Sequence, residues 1–133
     1  MKVLIVEDDP VWAIALRDQV IAAGHDVCGW ATRAEDAADL AAEQRPDLII
    51  VDAVLDSFVS GAEAVRAILH EGPVHVAFVS CDDAIAHEVL WGLKPLAIIG
   101  APPEQAQVTS LMERASAAGA AGFTSGKASD TPR

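Results

Sequence analysis

Five short apolar runs punctuate the chain: Val3–Val6, Val27–Ala31, Leu48–Val51, Val74–Val79 and Leu96–Ile99. Most are continuous rather than alternating, the pattern of strands buried on both faces. Longer stretches of helical period separate them, and one more follows the last run. Pro10 opens the first helix, with Asp8 or Asp9 as its N-cap. Thr32 and Glu35 have capping-box spacing for the second, whose Ala34, Ala37, Ala38 and Ala41 share one face while Glu35, Asp36 and Asp39 share the other. Ser60 and Glu63 repeat that spacing for the third, which buries Ala62, Val65 and Leu69. The fourth runs from about Asp83 to Trp91 and stops at Gly92. The fifth starts at Pro103 and sets Val108, Leu111, Met112 and Ala115 at i, i+3, i+4 and i+7.

Strict alternation of strand and helix predicts an α/β fold, a doubly wound five-stranded parallel sheet with five helices. The common strand order is 2-1-3-4-5, as in flavodoxin-like folds. Strands 1 and 3 are then neighbours at the topological switch point, and ligands bind beyond their carboxyl ends. Residues 1–118 make one domain. Residues 119–133, rich in Gly, Ala, Ser and Thr, read as a flexible tail. Gly122 to Lys127 superficially resembles a phosphate loop, but the spacing is one residue short and Ala128 follows the lysine.

Composition narrows the partners. The 133 residues include 20 acidic and 9 basic side chains, a net charge of −11. Phosphate backbones and anionic membranes demand Lys and Arg, so neither nucleic acid nor membrane is an expected partner; a cation is. No apolar stretch reaches the length of a membrane span. The amino terminus turns acidic at Glu7, too soon for a signal peptide, which predicts a cytoplasmic location. Cys28 and Cys81 match no metal spacing and read as free thiols. Trp12, Trp30 and Trp91 read as packing residues, with Trp91 also placed to anchor an interface. His25, His70, His75 and His87 are scattered and read as surface or capping residues.

Chemistry concentrates at the carboxyl edge. The first run ends in Glu7-Asp8-Asp9, the third in Asp52 and the fourth in Ser80. On the expected strand order Glu7, Asp8 and Asp52 converge on one crevice. Crowded carboxylates stay ionised only with positive charge among them, and Mg²⁺ suits such oxygen ligands. Asp9, just before Pro10, reads as a cap rather than a ligand. Nucleotide and flavin folds put Gly, Ser or Thr after the first strand, where backbone N–H groups meet phosphate; the acidic loop repels it. A haloacid-dehalogenase-type phosphatase needs a second Asp two residues after its nucleophile, where Val54 stands here.

These residues carry a resemblance. Val3-Leu4-Ile5-Val6-Glu7-Asp8-Asp9-Pro10 and Pro46-Asp47-Leu48-Ile49-Ile50-Val51-Asp52 closely resemble the receiver domains of bacterial two-component response regulators, the CheY-like family. The resemblance covers residues 1–118. It implies that Asp52 accepts a phosphoryl group from a histidine kinase or phosphotransfer protein. Glu7 and Asp8, with Asp52, would hold Mg²⁺, and Ser80 would hydrogen-bond the phosphoryl group. Gly61 would be the glycine of the loop after Asp52. The domain would signal through contact of its fourth helix, fifth strand and fifth helix with a downstream protein, or with a second copy in a homodimer. It would not be a turnover enzyme.

Three positions depart from the family pattern. Asp56 stands where a Pro is usual, and Gly61 comes one residue late. Ile98 replaces the aromatic residue that usually moves with the hydroxyl. Ala101 replaces the Lys that precedes a Pro after the fifth strand. Lys94 precedes Pro95 at the opposite end of that strand, and seven residues of strand span roughly 20 Å. Ala101 and Ile98 favour an alternative, a degenerate pseudo-receiver that signals by protein binding without efficient phosphorylation. A Mg²⁺-dependent enzyme of similar fold ranks last, because no further nucleophile, base or oxyanion group is evident.

Overall fold

The computed structural model describes residues 1–55, 60–80 and 84–119. Within them strands and helices alternate: β1 (Lys2–Val6), α1 (Pro10–Ala22), β2 (Asp26–Ala31), α2 (Ala34–Gln44), β3 (Leu48–Asp52), α3 (Ser60–His70), β4 (His75–Ser80), α4 (Ala84–Trp91), β5 (Ala97–Gly100) and α5 (Gln105–Ala118). Every strand pairing is parallel and the order is β2-β1-β3-β4-β5. This is the doubly wound, flavodoxin-like sheet that the alternating pattern predicts.

The runs at β1, β3 and β4 become strands buried on both faces, with β2 and β5 as less buried edges, and successive residues feed two separate cores. Leu4, Val6, Ile49, Val51, Val76 and Phe78 face α2 and α3, where Ala37, Ala62, Val65 and Leu69 meet them. Val3, Ile5, Leu48, Ile50, Ala77 and Val79 face α1 and α5, against Leu16, Val20, Val108, Leu111, Met112 and Ala115. No helix among the described residues is long and apolar enough to cross a membrane.

Helix entries depart from the sequence reading where side chains found other partners. The N-cap of α1 is Asp9, whose Oδ1 accepts from the Val11 N–H at 2.9 Å. For α2 the Thr32–Glu35 capping box does not form. Arg33 is the N-cap, without a side-chain bond, so Glu35 falls one position early and pairs with the Arg33 guanidinium on the surface. The fifth helix begins at Gln105, not Pro103. The Pro103 carbonyl instead accepts from Gln19 Nε2 at 2.8 Å, and Gln105 Nε2 donates to the Gln19 carbonyl at 2.9 Å, so the segment before α5 is tied to α1. The expected start of α4 at Asp83, and the Ser60 hydroxyl of the third capping box, lie outside the described residues and side chains. His75 is a core residue rather than a surface one, buried at the start of β4, with Nε2 donating to the Gly119 carbonyl at 2.7 Å.

Phe78 is fully buried at the centre of the α2–α3 core. Phe78→Ala should lower unfolding free energy by about 3–5 kcal/mol through lost burial and a residual cavity. Urea denaturation checks this, and a loss below about 1 kcal/mol would mean that the neighbours close the gap.

Candidate functional site: an acidic cluster at the switch point

β1 and β3 lie side by side, with Val6 opposite Val51. The chain therefore leaves both strands at one place. Glu7 continues β1 by one residue, its N–H donating to the Ala31 carbonyl at 3.0 Å. Its carboxylate is turned inward and is 1% exposed, whereas Asp8 is exposed and Asp52 half-buried. Carboxylate oxygens of Glu7, Asp8 and Asp52 all lie within 4.8 Å of one another. Asp9 is not among them, because its side chain caps α1.

Two short bonds orient the inner acids. Glu7 Oε1 accepts from the Asp9 N–H at 3.1 Å, and Asp52 Oδ1 accepts from the Val54 N–H at 3.0 Å. Glu7 Oε2 is buried without a hydrogen-bond partner. Burial chiefly, then the neighbouring Asp52, pushes the Glu7 carboxyl up to about 8, against the opposing Asp9 N–H. Burial also raises Asp52; the Val54 N–H, and the Glu7 carboxyl beside it when that group carries a proton, oppose this, and the charges of Asp8 and Asp9 add to it. A buried carboxylate oxygen left unpaired is costly, and a hard cation is the partner that satisfies it while keeping all three groups ionised. The donor set therefore fits a divalent cation.

Gly61, expected in the loop after Asp52, stands instead in the first turn of α3, against the Asp52 peptide. Gly61 donates its N–H to the Ala53 carbonyl at 3.2 Å. A Cβ at Gly61 would stand 2.2 Å from the Asp52 carbonyl oxygen and 2.9 Å from Ala53 Cα. Only glycine allows this backbone approach, so residue 61 braces the peptide that carries Asp52. Ser80 ends β4, buried, one step beyond the Asp52–Val79 pair. Asp56 and Cys81 lie outside the described residues.

Residues 3–90 match the family model of the response regulator receiver domain. The chain belongs to this family. It is 33% identical over 117 residues to the phyllosphere-induced regulator PhyR of Methylorubrum extorquens, covering 86% of this chain and 43% of that protein. It is 31% identical over 72 residues to the chemotaxis protein CheY of Thermotoga maritima, covering 54% of this chain and 59% of that protein. The signal receiver domain of a modulated diguanylate cyclase from Desulfovibrio desulfuricans superposes with a TM-score of 0.78 at 27% identity, covering 86% of this chain and 91% of that one. The chain spans less than half the length of the curated relatives it matches first, 43% and 34%.

The receiver's departures now have positions. Gly100 pairs with Ser80, so Ala101 follows at the carboxyl edge, partly buried against the α1–α5 core. Lys94 lies at the amino end of β5, exposed and in a left-handed conformation at φ 56, far from the acids. Ile98 pairs with Phe78 and packs against the α2–α3 core, an aliphatic side chain where a ring is usual. Trp30 is the site residue that sequence reading misses. Rather than being buried in packing, it is 40% exposed and its Nε1 donates to the Glu7 carbonyl at 2.6 Å. Nothing in a single tryptophan at the end of an apolar run signals that bond.

The raised Glu7 value fixes a sign. Its carboxyl titrates near 8 in the fold against an ordinary 4.5, so the folded state holds a proton that the unfolded chain has released between those values. Stability from this residue is whole below the lower value and falls as pH rises towards the upper one. Without metal, Glu7→Gln should therefore gain stability over the natural chain between about pH 5 and about pH 8 in urea titrations. Millimolar Mg²⁺ should shrink that gain, and a difference independent of both pH and Mg²⁺ would contradict the assignment.

Proposed function

We propose that the domain accepts a phosphoryl group on Asp52 from a partner histidine kinase or phosphotransfer protein, with Mg²⁺ held by Glu7, Asp8 and Asp52. The observation that carries this reading is the cluster itself: three carboxylates within 4.8 Å at the switch point of a receiver fold, with a buried Glu7 oxygen left for a cation. A bound divalent cation supplies charge neutralisation for phosphoryl oxygens and a template for in-line transfer. Asp52 is the nucleophile: a carboxylate oxygen attacks phosphorus, the bond to the donor nitrogen breaks, and an acyl phosphate forms. The Val54 N–H donates to Oδ1 of that carboxylate, and Gly61 braces its backbone. Ser80 donates a hydrogen bond to the new phosphoryl group. Drawing Ser80 inward biases the adjacent surface, as in other phosphorylation switches.

The chemistry ends on the protein's own side chain, so the domain is an acceptor rather than a turnover enzyme. Residues 1–118 form the receiver, in a cytoplasmic setting; the tail expected over 119–133, with the loop-like Gly122 to Lys127, lies beyond Gly119 outside the described residues. The output face is α4-β5-α5, for a downstream protein or a second copy. Trp91, 52% exposed at the end of α4, and a groove of about 340 Å³ lined by Ile98, Ala106, Ser110 and Arg114 support it.

Ala101 favours a second reading, the pseudo-receiver that binds partners without efficient phosphorylation. A lysine about 4 Å from a phosphoryl oxygen is worth roughly 4 kcal/mol at an effective dielectric of 20, before desolvation. Even a net loss of about 1.4 kcal/mol is tenfold in an equilibrium. Incubation with Mg²⁺ and acetyl phosphate, followed by intact-mass measurement, separates the readings. The natural chain should gain one phosphoryl group slowly or incompletely, Ala101→Lys should gain it more fully, and Asp52→Asn should gain none. No phosphorylation of either the natural chain or Ala101→Lys would leave the pseudo-receiver as the function.

A further inference from the structure

We propose that Trp30 is a positioning residue for the Glu7–Asp8 acid pair, an inference that rests on the reading of the cluster as a cation site. Its place comes from a register shift. Val3 pairs with Val27 but Leu4 pairs with Gly29, so Cys28 is an extra residue in β2. The shift sets Trp30 opposite Ile5, on the α1 side of the sheet, and Ala31 opposite Val6. Gly29 takes the tight position next to it, where a Cβ would stand 3.2 Å from Leu4 Cδ1.

From there β2 grips both main-chain polar groups of Glu7. The Ala31 carbonyl accepts the Glu7 N–H at 3.0 Å, and the Trp30 indole N–H donates to the Glu7 carbonyl at 2.6 Å. The second bond is the informative one. The Glu7 carbonyl belongs to the rigid peptide plane that joins Glu7 to Asp8. Fixing that carbonyl fixes the direction in which the chain enters Asp8. It thus sets how an inward carboxylate and an exposed one are angled towards the same point. The carboxylate of Glu7 is already held on one side by the Asp9 N–H, leaving Oε2 for the cluster. Trp30 itself is 40% exposed, so it is held by this directed bond as well as by burial. Partners that orient ligands from outside the coordination shell are typically worth ten- to a hundredfold in metal affinity.

The test uses the full chain and Trp30→Phe, which keeps a ring and deletes the N–H. Mg²⁺ is titrated while the amide resonances of Glu7, Asp8, Asp9 and Asp52 are followed, and urea midpoints are measured alongside. Mg²⁺ affinity should fall about tenfold in Trp30→Phe while the protein stays folded. In the natural chain the Trp30 indole N–H resonance should shift with the same Mg²⁺ midpoint as the Asp8 amide. Unchanged affinity in Trp30→Phe overturns the proposal and leaves the cation site standing. An indole resonance that ignores Mg²⁺ while the Asp8 amide responds does the same, and it decides the matter if the variant does not fold. A natural chain whose acidic cluster ignores millimolar Mg²⁺ overturns the cation site and this inference together.

Discussion

The burial of one carboxylate, Glu7, sets the electrostatic problem that the carboxyl edge answers. The side chain sits at the end of the sheet with almost no exposure, beside Asp52 and within reach of Asp8. Without a cation, burial lifts the Glu7 carboxyl far above its ordinary range, so the site favours keeping a proton. A divalent cation is the alternative answer. Affinity for metal and affinity for protons are then two readings of the same crowding.

Placing that crowding takes a stiff frame. The three inner strands β1, β3 and β4 are buried on both faces, so β1 and β3 cannot slip past one another without exposing an entire apolar set. The ends of β1 and β3 are thereby held side by side. Gly61 presses against the Asp52 peptide from the first turn of α3, and the tops of β1 and β2 are joined through Glu7. Main-chain contacts therefore hold the acidic residues from α3, from β2 and from the entry to α1.

The charge balance is unusual at the other end of the site. Ala101 brings no cation to the carboxyl edge, and Lys94 is at the amino end of the same strand. On the proposed reading, most positive charge near an incoming phosphoryl group comes from the bound metal, with Ser80 contributing a hydrogen bond. At the neighbouring position on β5, Ile98 offers an aliphatic contact to the α2–α3 core.

The sequence by itself determined the strand count, the helix count and the two-sided apolar pattern of the inner strands, which follow from periodicity and alternation among near neighbours in the chain. The strand order, and with it the meeting of Glu7, Asp8 and Asp52, was expected from the order common to such folds, and pairing between distant strands realised it. Pro10 and the acids before it likewise marked the entry to α1. Tertiary structure decided what depends on distant partners. Arg33, not Thr32, became the cap of α2, and contacts with Gln19 delayed the start of α5. His75 entered the core because the end of α5 offers its ring a carbonyl. The register shift in β2 put Trp30 on the Glu7 carbonyl, and the start of α3 brought Gly61 against the Asp52 peptide. Each of these is a directional contact between groups far apart in sequence, whose geometry exists only once the sheet has assembled.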